Sequence, residues 1–343
     1  MGSIRLALAI EALVLAGCGA SSAGLSDPSR PSDLLVIEAT APTKIDQPIA
    51  VHARTGRSRV LPFTDGCGDA QFCLVASAGK LVIGEVGRTY VYDPAAPGRP
   101  RKRRIGSGWI IVPSMTAGRV WVGPLDCRTH AACRRRAIRA LREKTLDGRV
   151  VRTVHTPHED WPIAALRSGL LFQATHSLRL WSLRTRSWAG RVPGPFPAAT
   201  YGNVVASCDE PCPRLAISDA ITGETTRVRA PHGYWFSAYN DGAFSPDGSL
   251  LAVPVGYHPD PDRLHFRRYA VALVDLEDRT ATIVPGSLDP IYHTIAWSPT
   301  GNWLYFGAPR GRIRGYRLGS NRSTLIARPT LRSPRRIFHM AAL

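Results

Sequence analysis

Two ten-residue segments of the chain repeat one another: Phe244-Ser-Pro-Asp-Gly-Ser-Leu-Leu-Ala-Val253 and Trp297-Ser-Pro-Thr-Gly-Asn-Trp-Leu-Tyr-Phe306. Each is an aromatic strand end, a Ser-Pro-x-Gly turn and an apolar strand. Proline presets φ in the turn and glycine accepts positive φ, so the pattern predicts a tight β-hairpin. A second unit, two strands around a polar turn, recurs at 49–63, 89–98, 178–192, 214–230, 269–286 and 312–329. Its alternation of period two marks strands with one buried face. Apart from one double interval between 89 and 178, successive units lie roughly 35 to 55 residues apart, close to the period of repeat architectures in which each sheet must stack on its neighbours to bury its faces.

Written as strands A to D from the centre outward, the chain parses as an all-β ring of seven four-stranded blades. The blades fall at about 70–106, 107–155, 161–194, 196–230, 234–286 and 290–329, with a first blade at 34–63. That first blade supplies three strands, and Arg336–Leu343 is expected to add its inner strand, pairing the chain ends and protecting the edges of an open sheet. A six-bladed ring or a pair of sandwiches is the competing arrangement. The basic run Ala131–Lys144 looks helical by itself, but its place in the repeat makes it strand C of blade 3. The two Ser-Pro-x-Gly segments resemble the TolB-like and WD-repeat-like β-propeller repeats of bacteria, and the resemblance implies a β-propeller.

The N-terminus carries a different signal. Met1–Arg5 holds one positive charge, Leu6–Leu15 is apolar except for Glu11, and Leu15-Ala16-Gly17-Cys18 follows. A short apolar region ending in small residues reads as a secretory signal rather than a membrane span. The Leu-Ala-Gly-Cys ending resembles the bacterial lipobox. That resemblance implies removal of residues 1–17, a diacylglycerol on the Cys18 thiol and a membrane lipid anchor, each buried methylene adding about 0.8 kcal/mol. A plain cleaved signal or a different start is the alternative, Glu11 being the departure. Residues 18–33 are Ser/Pro/Gly-rich and read as a flexible tether ahead of a propeller domain at 34–343. The expected address is exported and lipid-anchored, on the outer side of the cytoplasmic membrane or in the periplasm.

The other six cysteines form three close pairs, Cys67/Cys73, Cys127/Cys133 and Cys208/Cys212. Each lies in one short loop between apolar segments, and export favours oxidation, so three local disulfides are expected, with zinc as the alternative. The formal net charge is +18, carried almost wholly by arginine, lysine occurring only at 44, 80, 102 and 144. Arginine-rich codon usage explains this bias more simply than an acidic partner does. Export argues against nucleic acid.

A–B and C–D turns share one rim of such a ring, and B–C and D–A loops share the other. The first rim is built from minimal turns such as SPDGS and SPTGN, whereas the second carries the cysteine pairs and the longer loops. The second is therefore the expected binding face. It gathers His155, His158, Glu159, Asp160 and Trp161; His232, Tyr234, Trp235 and Tyr239; His258, Asp260, Asp262 and His265; and Asp289, Tyr292 and His293. Trp161, Trp235, Tyr234, Tyr292, His293 and His258 are the expected ligand-binding residues, as aromatic and imidazole groups suited to a glycan or peptide. Histidines and carboxylates are present without spacing that fixes a ligand set, so no metal or other cofactor is expected.

No nucleophile elbow, phosphate loop or H-E-x-x-H motif occurs. The expected function is a non-catalytic, membrane-anchored, monomeric propeller that binds a protein or a cell-envelope polymer. The alternative is a propeller hydrolase or lyase acting on glycan or peptide, with His158, Glu159 or Asp160 as acid or base.

Overall fold

The computed structural model describes residues 33–343 except 42–43, 46–47, 62, 64–73, 86–87, 95–101, 108–109, 124–139, 156–161, 210–211, 238–241, 258–267, 290–293 and 330–335. The described residues of Pro31–Leu343 form one compact unit of seven antiparallel sheets. It is a seven-bladed β-propeller, as the repeats predict. The inner strands are Arg336–Ala342, Leu74–Ser77, Ile110–Pro113, Pro162–Ala165, Phe196–Tyr201, a split pair Tyr234–Phe236 and Ala243–Phe244, and Ile295–Trp297, for blades 1 to 7 in turn.

Blade 1 draws on both ends of the chain. Its strand A, Arg336–Ala342, runs antiparallel to Leu34–Ala41, with Leu35 opposite Ala342 and Ile37 opposite Met340. Leu34 and Leu343 exchange backbone hydrogen bonds at 3.3 and 3.0 Å. Leu35, Val36 and Ile37 are fully buried by this closure. Burying a side chain of that size stabilises by about 1.5–3 kcal/mol. A second clasp crosses from blade 7, where the Tyr305 hydroxyl donates to the Asp33 carboxylate.

The repeated turns are bracketed by their serines. Ser245 Oγ accepts the Leu250 amide at 2.9 Å, and Ser298 Oγ accepts the Trp303 amide at 3.0 Å. Gly248 and Gly301 take φ of +77° and +76°. A Cβ on Gly248 would stand 2.2 Å from the Tyr201 ring, so the blade 6 turn packs directly on the blade 5 turn. Trp297 of blade 7 donates its indole N–H to the Ala243 carbonyl of blade 6 at 2.7 Å. The repeat thus encodes contacts between blades as well as hairpins within them.

The basic strand Lys102–Ser107 also joins blades. Lys102 stands over the rings of Phe63 and Tyr90, and Arg103 donates to the Leu146 carbonyl of blade 3 at 2.6 Å. Lys144 returns the contact, donating to the Ile105 carbonyl at 2.6 Å. Strand C of blade 3 is described over Leu141–Thr145, the tail of the run expected to form it; residues 131–139 lie outside the described residues.

Candidate functional site: the braced rim of blades 5 and 6

Strand B of blade 5, Val204–Cys208, ends in a cysteine that is disulfide-bonded to Cys212 across the B–C loop. Both cysteines are buried in a core cluster with Phe236 and Val255 of blade 6. The Phe236 amide donates to the Cys212 carbonyl at 2.9 Å, and the Ala230 amide donates to the Pro213 carbonyl at 3.0 Å. The disulfide loop of one blade therefore fixes the inner strand of the next. From the other side the connection out of blade 4 passes close beneath it. Gly194 has φ +81°, and a Cβ there would fall 2.8 Å from the Cys208 backbone. Only glycine meets both demands.

The strand held in this way is Tyr234–Phe236. Tyr234 lies opposite Tyr257 and Trp235 opposite Gly256, so the two tyrosines share one face at the rim end of the hairpin and Trp235 projects from the other. The Tyr234 and Tyr257 rings stand 5.3 Å apart, and Tyr257 is exposed. Gly233, at φ +78°, leaves room for the Tyr257 ring, which a Cβ would approach to 3.2 Å. Arg268 is the ladder partner of Tyr257 and is exposed. Burial raises the Tyr234 phenol above its ordinary pKa and Tyr257 adds to the rise, while Arg268 opposes it. The Tyr234 phenol is thus neutral at physiological pH, and the pair of rings offers hydroxyls beside apolar ring faces and a guanidinium. Such a surface suits a glycan or a peptide.

On the propeller axis lies a cavity of about 450 Å³ to which every blade contributes, Ala164, Ala165, Ala198, Ala199, Ala296 and Ala341 among its walls. Inner strands converge at the axis, where small side chains fill the narrowing space. Among the described residues its wall holds no ionisable side chain. No group of three or more His, Cys, Asp or Glu among the described residues is placed to hold a metal, and no helix among them is long and apolar enough to cross a membrane.

Of the residues expected at the site, Tyr234 and Trp235 sit side by side on the braced strand, and both are half-buried. His155 and His232 are exposed on the same rim. Trp161, Tyr292, His293, His258, His158, Glu159, Asp160, Tyr239, Asp260, Asp262 and His265 lie outside the described residues, as do Cys18, Cys67, Cys73, Cys127 and Cys133. Tyr257 and Arg268 were not singled out in sequence. Both flank a long B–C loop, and extending the hairpin register by two pairs would have placed them opposite one another beside Tyr234. The elaboration of this rim is uneven: the B–C turns of blades 4 and 7 are short, Thr175–His176 and a single 3₁₀ turn at Pro309–Gly311.

Topology and site define a seven-bladed propeller with one braced aromatic rim. No protein-family model matches the chain, and no curated protein matches it in sequence. Among solved structures it is similar to Kuenenia stuttgartiensis Hydrazine Synthase, at 13% identity and a TM-score of 0.46 over 76% of this chain and 80% of that one. A likeness of that size carries no argument about activity.

Proposed function

We propose that this propeller is a non-catalytic binding protein, held at the outer face of a membrane by a lipid on Cys18, which engages a protein or cell-envelope polymer through the rim of blades 5 and 6. The observation that carries the reading is the aromatic pair of Tyr234 and Tyr257, with Trp235 next to Tyr234 on a strand fixed to the Cys208–Cys212 loop. An ordered aromatic surface loses little entropy on binding, and rigid aromatic groups carry most of the energy in such contacts. The disulfide supports an oxidising compartment, in keeping with the Leu-Ala-Gly-Cys ending. Fractionation of cells expressing wild type and Cys18→Ala tests the anchor: the variant should leave the membrane fraction. Retention of the variant with membranes would refute it. Quantitative co-sedimentation of the purified protein with isolated cell envelopes tests the rim.

A further inference from the structure

Blade 4 differs from blades 5 and 6 at one position, and the difference marks a second site on the opposite rim. In blades 5 and 6 strand C ends in an aspartate, Asp219 opposite Val204 and Asp275 opposite Leu250. Each carboxylate closes its own C–D turn. Asp219 accepts the amides of Ile221 and Thr222 at 2.8 and 2.9 Å, and Asp275 accepts those of Glu277 and Asp278 at 2.9 Å. The equivalent residue in blade 4, opposite Gly169, is Ser182. Its hydroxyl accepts the Thr185 amide at 3.2 Å, so the turn is still closed while the negative charge is gone.

Two arginines stand where that charge is missing. Arg167 lies in the A–B turn of blade 4 and Arg184 in its C–D turn. Both are exposed, and neither forms an ion pair among the described residues. They line a cavity of about 440 Å³ together with Ser168, Thr185 and Ile221, and among the described residues no acidic side chain lines it. Arg152 also lines it, but its Nε sits 2.6 Å from Glu143 and its guanidinium 5.0 Å from the Trp121 ring, so its charge is already matched. The Ser168 hydroxyl is buried with no hydrogen-bond partner among the described residues. An unsatisfied buried hydroxyl is costly, and an acceptor oxygen in the cavity relieves it. Guanidinium groups bind oxyanions through charge-assisted, often bidentate hydrogen bonds. Ile221, 55% exposed, adds an apolar wall for the body of such a ligand.

We propose that blade 4 carries an anion pocket on the A–B/C–D rim, in which Arg167, Arg184 and the Ser168 hydroxyl hold the phosphate, sulfate or carboxylate group of a small molecule. The volume is that of a small-ligand site. The site is separate from the aromatic rim and stands or falls independently of it.

Isothermal titration of the purified full chain with inorganic phosphate, sulfate and acetate, at constant ionic strength set by chloride, tests the proposal and ranks the three oxyanions. Saturable binding of at least one is expected. The Arg167→Gln/Arg184→Gln variant should weaken it at least tenfold. Ser182→Asp, which introduces the carboxylate found in blades 5 and 6, should weaken it comparably, while Arg322→Gln, in the exposed C–D turn of blade 7, should leave it unchanged. Melting curves establish that each variant is folded, and the single variant Arg184→Gln, at an exposed position, serves if the double variant is not. Heats that never saturate for any of the three anions would overturn the proposal. So would wild-type affinity in the arginine variants or in Ser182→Asp.

Discussion

The Phe236 amide of blade 6 donates to the Cys212 carbonyl of blade 5 at 2.9 Å, tying the strand that carries Tyr234 and Trp235 to a disulfide-closed loop. The bridge closes a loop of a few residues, so its loss should lower stability by about 2 kcal/mol on chain-entropy grounds. The local effect should exceed the global one. Cys208→Ser/Cys212→Ser is expected to raise the amide exchange rate of Phe236 more than that of Val271 in the next strand but one. Uniform exchange changes across blade 6 would show that the loop does not position the strand.

Asp33 and Tyr305 make a comparable link at the ring closure. Burial raises the Asp33 pKa and that of the Tyr305 phenol. A raised carboxylate pKa means that the folded state holds its proton more tightly than the unfolded chain. The contribution of Asp33 to stability is therefore full below its ordinary pKa and is lost as pH rises through the folded one. Tyr305→Phe should cost about 1–2 kcal/mol at neutral pH, since it leaves a partly buried carboxylate without its hydroxyl donor. Denaturant melts at pH 7 read the loss.

His339, on the closing strand Arg336–Ala342, titrates with the opposite sign. Burial lowers its pKa to about 4. Its contribution is full above the unfolded value near 6.5 and is lost as pH falls from there through about 4. Each pH unit spanned is worth about 1.4 kcal/mol, so the loss reaches at most about 3 kcal/mol. Melting from pH 7 down to pH 4 should show this decline in wild type and a flatter profile in His339→Gln. Identical profiles would contradict it.

The Ser-Pro-x-Gly turns offer a test of stacking between blades. Gly248→Ala places a Cβ 2.2 Å from the Tyr201 ring at φ +77°. We expect a loss of about 2 kcal/mol or more from clash and backbone strain together. Tyr201→Ala should remove the clash but leave the strain, so the double variant should be less destabilised than the two single losses sum to. Strict additivity would mean that the two turns do not touch.

The legible parts of this fold are those the backbone dictates locally. Proline and glycine announced the hairpins at 244–253 and 297–306, and period-two alternation announced the strands around them. Ser245 and Ser298 were visible as letters, but their role in bracketing the turns depends on hydroxyl geometry. Tyr234 and Trp235 were legible because aromatic residues beside a short cysteine pair point to an ordered rim. Tyr257 and Arg268 were not, because their neighbours are set by the register of a hairpin rather than by sequence distance. Ser182 and the arginines near it were harder still. Their meaning lies in a comparison of blade 4 with blades 5 and 6, which emerges only once Gly169, Val204 and Leu250 are known to share a position in the ladder.

The central claim is that the rim of blades 5 and 6 binds a partner, and co-sedimentation with isolated envelopes tests it most directly. Tyr257→Ala and Trp235→Ala, folded by melting temperature, should each weaken binding by more than about 1 kcal/mol, while Asn302→Ala in the opposite rim should bind as wild type does. Wild-type binding by both aromatic variants, with loss on substitution in the opposite rim, would contradict the account.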